Sequence, residues 1–127
     1  MRILLDTHVW LWMVSAPERL PGAIAAALAD ARNELWFSAV SGWEIAIKHD
    51  LGRLPLPDHP RAFIAPRLIR DSVRPLAIEV RHVVEVSGLP NHHRDPFDRL
   101  LIAQARSEQM QLATVDRVFA MYDVPLL

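Results

Sequence analysis

The stretch Arg2-Ile3-Leu4-Leu5-Asp6-Thr7 is a short, unbroken apolar run that ends on an acid and a residue suited to starting a helix. An apolar run without alternation fits a strand buried on both faces, and such strands belong to parallel sheets covered by helices. The same succession repeats outward from it. His8 to Val14 reads as a helix, broken by Ser15-Ala16-Pro17-Glu18, and an alanine-rich helix follows over about Ala23 to Ala31. Leu35-Trp36-Phe37 is a second strand. Ser38 can cap the next helix, about Val40 to Leu51, with Val40, Trp43, Ile47 and Leu51 as its apolar stripe and Gly52 as its end. A proline-rich loop, Leu54 to Pro60, leads to a helix between Arg61 and Arg70. Val73 to Ile78 is a third strand, kinked or placed at an edge by Pro75.

Glu79 to Val86 reads as a helix, terminated by Gly88 and Pro90. The segment His93-Arg94-Asp95-Pro96-Phe97-Asp98-Arg99-Leu100-Leu101 opens another. Asp95 stands at the N-cap and Pro96 at the first helical position, where no backbone donor is needed. Phe97, Leu101 and Ala105, with Leu100, form its packing stripe, and Asp98 lies off it. Gln111 to Val115 is a fourth strand, Arg117 to Tyr122 one or two helical turns, and Val124 to Leu127 a final short strand. Strands alternating with helices predict an α/β fold: three layers, a parallel sheet of four to five strands flanked by helices, in a single domain over residues 1–127. In such folds the working crevice lies outside the carboxyl ends of the strands.

Composition narrows the chemistry. Half of the 127 residues are apolar (51%), which argues for a real core and against disorder. No apolar run approaches the roughly 18 residues of a membrane span. The opening Met-Arg-Ile-Leu-Leu-Asp carries an acid where a signal peptide would be apolar, so a cytoplasmic protein is expected. There are no cysteines, which excludes disulfides and zinc–thiolate sites. The net charge of −1 is no simple nucleic-acid signature, but neutralising four carboxylates would leave the remainder at +3. Thirteen of the 14 basic residues are arginine, and Lys48 is the only lysine.

Asp6 and Asp116 follow the first and fourth strands directly, at the carboxyl edge of the sheet. Glu44 lies one turn into the helix after the second strand, and Asp98 in the first turn of the helix before the fourth. Each has an ordinary structural role open to it. Asp6 can be an N-cap, Ser41-Gly42-Trp43-Glu44 fits a capping box, Glu44 and Lys48 fit an exposed i,i+4 pair, Asp98 can offset a helix dipole, and Asp116 can be a turn residue. Together they predict four carboxylates on one rim. Two like charges about 4 Å apart repel by roughly 4 kcal/mol at an effective dielectric near 20. Such a ring calls for a cation, and an all-oxygen donor set suits Mg²⁺ or Mn²⁺.

Taken together, Asp6-Thr7-His8, Ser41-Gly42-Trp43-Glu44, His93 to Leu101 and Thr114-Val115-Asp116 resemble the PIN-domain nucleases, most closely the VapC toxins of bacterial toxin–antitoxin pairs. The resemblance spans residue 2 to about 126. It implies that Asp6, Glu44, Asp98 and Asp116 are catalytic, metal-binding acids, and that Thr7, Ser41 and Thr114 are supporting hydroxyls. It also implies endonucleolytic RNA cleavage with Mg²⁺ or Mn²⁺, a homodimer, and inhibition by a cognate VapB-type antitoxin. Asp95 is an extra acid: a cap, an outer support or a fifth ligand. Arg94 and Arg99 flank the acids and either grip RNA phosphates or pair with Asp95 and Asp98. A non-catalytic RNA-binding or scaffold PIN domain is the alternative. His93 is read as ordering the turn before Asp95, and His8 as facing the site or packing on the first helix; both stay outside the metal shell. Four tryptophans (Trp10, Trp12, Trp36, Trp43) leave room for at least one to be exposed at a partner surface.

Overall fold

A computed structural model describes all of residues 1–127. The chain alternates as expected: β1 (Arg2–Leu5), α1 (Thr7–Ser15), α2 (Gly22–Ala29), β2 (Glu34–Ser38), α3 (Ala39–Asp50), α4 (Pro60–Arg70), β3 (Arg74–Leu76), α5 (Val80–Val86), α6 (Pro96–Glu108) and β4 (Gln111–Ala113), with 3₁₀ turns at Pro17–Arg19 and Arg117–Met121. The four strands form one parallel sheet in the order β3-β2-β1-β4. Pro75 sits in β3, an edge strand, where a missing ladder donor costs least. The final strand is reduced to a single parallel bridge between Leu112 and Leu126. No helix is long and apolar enough to cross a membrane.

The apolar run of β1 is explained by its central place in the sheet. Ile3 and Leu5 enter one core with Trp10, Ile24, Ile45 and Phe63, whereas Leu4 enters the other with Val40, Leu101, Ile102, Leu112 and Phe119. Alternate side chains thus face opposite layers, and both layers are apolar. On α6 the buried surface is wider than the stripe in the sequence, because Leu101 to Ala105 are all buried while Phe97 and Leu100 are only partly so.

A correction applies to α3. Its buried residues are Val40, Ser41, Glu44 and Ile45, while Trp43 and Leu51 of the expected apolar stripe are 54% and 59% exposed. The helix is rotated to bury a hydroxyl and a carboxylate because both find polar partners inside. Ser38 caps this helix by accepting from the Val40 N–H at 3.0 Å, and its own hydroxyl donates to Gln104 on α6. Gln104 is wholly buried, and its amide donates to the Ala77 carbonyl at 3.2 Å. It therefore ties α6 to β2, α3 and the end of β3.

Replacing Gln104 by Leu strands the buried Ser38 hydroxyl without its acceptor. A loss of about 1–3 kcal/mol in unfolding free energy is expected by urea titration, with the m-value unchanged.

Candidate active site

The crevice lies where chain order reverses, between the carboxyl ends of β1 and β4. Asp6 leaves β1 and caps α1, accepting from the His8 N–H at 3.1 Å. Its other oxygen accepts from the Thr114 hydroxyl at 2.6 Å. It is almost fully buried, and that burial raises its carboxyl above the ordinary range despite the Thr114 and His8 bonds. β4 ends at Ala113, so Asp116 stands three residues beyond the strand and not directly after it. The Thr114 side chain bridges the gap. It holds Asp6 and accepts from the Asp116 N–H at 3.0 Å, while Asp116 caps the following 3₁₀ turn through the Val118 N–H at 2.9 Å.

Glu44 reaches the crevice from α3 and is buried. The Thr7 hydroxyl donates to its Oε1 at 2.7 Å, and Lys48 donates to its Oε2. The Thr7 and Ser41 hydroxyls are 2.8 Å apart. Thr7 has one proton and spends it on Glu44, so Ser41 is the donor to Thr7. The capping-box alternative fails, because Ser38 caps α3 and Ser41 already lies within it. The exposed-pair alternative fails as well, since the Glu44 side chain is only 3% exposed.

Asp95 is the N-cap of α6, accepting from the N–H groups of Phe97 (2.8 Å) and Asp98 (3.2 Å). This fixes where the helix starts, and so where Asp98 points. The Asp98 carboxyl is pushed up to about 8, first by burial and then by the negative charges of Asp95, Asp6, Glu44 and Asp116. One side chain therefore feels four other acids, and the five together come from four segments of the chain.

His93 is closer to the chemistry than its sequence suggested. Its Nδ1 accepts from the Asp95 N–H at 3.1 Å, which orders the turn as expected. That bond puts the ring proton on Nε2, which lies 2.9 Å from Asp98 Oδ2 and 3.1 Å from Asp116 Oδ2. His93 thus links two acids that come from opposite sides of the crevice. Tyr122 steadies the same loop, its hydroxyl oxygen accepting from the N–H groups of His92 (3.1 Å) and His93 (2.7 Å). His8 is exposed. Arg99 donates to the carbonyls of Pro90 (2.9 Å), Val86 (3.3 Å) and Leu89 (3.4 Å), so its guanidinium is occupied in holding the loop. Arg94 is exposed and has neither a hydrogen bond nor an ion pair. Trp43 packs edge-on against Phe97 beside the acids, with centroids 5.0 Å apart.

The PIN domain family model matches residues 3–125 of this chain. The chain belongs to the PIN-domain family. It is 31% identical over 116 residues to Ribonuclease VapC22 of Mycobacterium tuberculosis, a match covering 91% of this chain and 87% of that protein. It is 37% identical over 68 residues to Ribonuclease VapC16 of the same organism, covering 52% of this chain and about half (48%) of that relative. The fold matches solved VapBC structures. For VapBC2 from Rickettsia felis, bound to a DNA fragment from its promoter, the TM-score is 0.72 at 13% identity over 100% of this chain and 97% of the other. For VapBC-1 from nontypeable Haemophilus influenzae it is 0.66 at 18% identity, with the same coverage. In this PIN domain the resemblance seen in the short motifs extends to the whole fold.

The raised Asp98 carboxyl gives a signed pH dependence. Between the unfolded value near 3.8 and the folded value of about 8, the folded protein holds a proton that the unfolded chain has released. Stability of the metal-free PIN domain should therefore fall as pH rises through that window. Thermal melts in EDTA from pH 5 to 8 are expected to show the decline, and Asp98→Asn to flatten it and raise the melting temperature at the upper end.

Proposed function

We propose that this chain is a metal-dependent endoribonuclease, the VapC-type toxin of a toxin–antitoxin pair. One observation carries the reading: acids from separate segments converge on Asp98, whose carboxyl is held far above its usual range first by burial and then by their negative charges. The donor set fits a hard divalent cation of the Mg²⁺ or Mn²⁺ kind, because every acid offers oxygen, cysteine is absent, and the carboxylates oppose one another's ionisation. Asp6, Asp98 and Asp116 would hold the cation, with Glu44 as the fourth carboxylate of the rim. Bound there, the metal would supply Lewis acidity toward a phosphate oxygen and a water of lowered pKa.

The chain's own groups set the geometry. Thr114 aims Asp6 and fixes the turn that carries Asp116. His93 holds Asp98 and Asp116 to a common donor. Thr7, backed by Ser41, anchors Glu44. No side chain is needed as a covalent nucleophile, since water attacks the phosphodiester. Arg94, exposed and unpaired, is the flanking arginine free to take a backbone phosphate. The VapC names of the sequence relatives and the VapBC titles of the structural neighbours support a VapB-type antitoxin as partner. A groove of about 380 Å³, lined by Met13, Leu20 and Leu28 and also by Arg70 and Asp71, adds a surface of mixed character suited to such a segment. The same reading includes a homodimer.

Purified protein, free of antitoxin, is expected to cleave RNA with Mn²⁺ or Mg²⁺ and to stop in EDTA. Asp98→Asn and Asp6→Asn should each lower cleavage by about 10²–10³-fold. Wild type and both variants equally inert on total RNA would sink the nuclease reading in favour of a non-catalytic RNA-binding domain.

A further inference from the structure

Lys48 is the only lysine in the chain, and apart from His93 it is the only basic side chain ion-paired to one of the four acids. Its partner Glu44 is engaged on both oxygens, by the Thr7 hydroxyl and by the Lys48 ammonium. Asp98 has only a shared contact with His93, and Asp116 only that contact and its own cap. Asp6 is likewise engaged on both oxygens, but by neutral donors, so Glu44 is the one of the four acids that already carries an ammonium as its partner. The Lys48 side chain is 36% exposed against 3% for Glu44, so the ammonium lies on the solvent side of its partner. Its charge is also felt by Asp95 and Asp98 at the start of α6.

An ammonium has three donors, and Glu44 occupies one. No other partner takes the remaining two. The thirteen other basic positions use arginine, whose charge is spread over a planar fork, whereas the lysine ammonium is a compact point charge with rotatable donors. A lysine can keep its carboxylate and still turn a free N–H toward a second anion. A phosphodiester at Asp98 would lie within the field of this ammonium, which already interacts with the Asp95 and Asp98 charges.

We propose that Lys48 binds a non-bridging oxygen of an RNA phosphate at the site, and that Glu44 is the positioning residue that holds Lys48 there, not a direct metal ligand. This rests on the nuclease reading. It divides the four acids into three that hold the cation and one that holds a fixed positive charge beside it.

The test measures Mn²⁺ affinity, RNA affinity and turnover separately, in wild type, K48M, K48R, E44Q, the E44Q/K48M double variant and D98N. K48M leaves Glu44 buried without its partner, so the double variant, which removes both charges, guards against a folding defect; thermal melts check each protein. Binding of a short fluorescent single-stranded RNA is followed in Ca²⁺ across a salt series. E44Q and K48M are expected to bind Mn²⁺ as wild type does, while D98N loses it. K48M and the double variant should show a salt slope of log K shallower by about 0.7, the loss of one phosphate contact. K48M and E44Q should each lower kcat/KM by about 10²-fold, the double no further, and K48R should recover part. An unchanged salt slope in K48M, or an E44Q protein that loses Mn²⁺ as D98N does, overturns the proposal while wild type still cleaves. Wild type that binds Mn²⁺ but neither binds nor cleaves RNA overturns the nuclease reading itself, and this proposal with it.

Discussion

Mutual repulsion among carboxylates at the β1–β4 crevice is the constraint that the rest of this molecule accommodates. Asp6, Glu44, Asp98 and Asp116 arrive on different elements, and burial denies Asp6 and Glu44, and in part Asp98, the water that would screen them. Each is given a specific donor: Thr114 for Asp6, Thr7 and Lys48 for Glu44, and the His93 imidazole for Asp98 and Asp116. These donors reduce the repulsion without removing it, since the Asp98 carboxyl remains strongly raised. The result is a site prearranged for a cation, with hydroxyls and one imidazole holding the oxygens in place beforehand. Preorganised groups of this kind lower barriers because they need not reorganise during the reaction.

A rigid backing makes that arrangement possible. On the far side of the β2–α3 junction, Ser38, Gln104 and His82 form a buried polar chain that ends at Glu108. His82 Nδ1 accepts from the Glu79 N–H at 3.0 Å, leaving Nε2 to donate to Glu108 at 2.9 Å. Burial opposes ionisation of Glu108, but the bonds from His82 and Arg81 outweigh it and lower its carboxyl. This network crosses from the sheet edge through α6 to α5. It fixes the rotation of α6 on the sheet, and that rotation decides whether Asp98, in the first turn, faces the crevice.

The elements whose apolar residues face the core were legible in the sequence: the β1 run, the cap at Asp95-Pro96, and Pro75 at an edge strand. The α3 stripe was misread because an amphipathic pattern assumes that the buried face is apolar. Here that face carries Ser41 and Glu44, and their cost is met by partners thirty or more residues away, Thr7 foremost. Spacing along one segment cannot reveal such partners. His93 was placed correctly as a turn-ordering residue, but its second nitrogen meets Asp116 only through the tertiary fold. Lys48 carried a faint signal, as the one lysine among 14 basic residues, four positions after Glu44. Arg99 looked like a phosphate-binding arginine because it lies beside Asp98, yet side chains on adjacent helical positions point apart, and this one turns to the loop carbonyls.

The identity of the α6 cap follows from the same electrostatics. Serine or asparagine would cap a helix about as well as aspartate. Aspartate adds a negative charge within one turn of Asp98, and that charge is the largest charge effect acting on it. A neutral cap would leave Asp98 closer to an ordinary carboxylate and weaken the demand for a cation. Asp95 therefore works in two ways from one position. Its backbone-directed oxygen sets the start of the helix, and its charge makes the carboxyl three residues later harder to ionise unless positive charge is brought in. In this stretch the residue that gives the helix its geometry also tunes the acid that the geometry delivers.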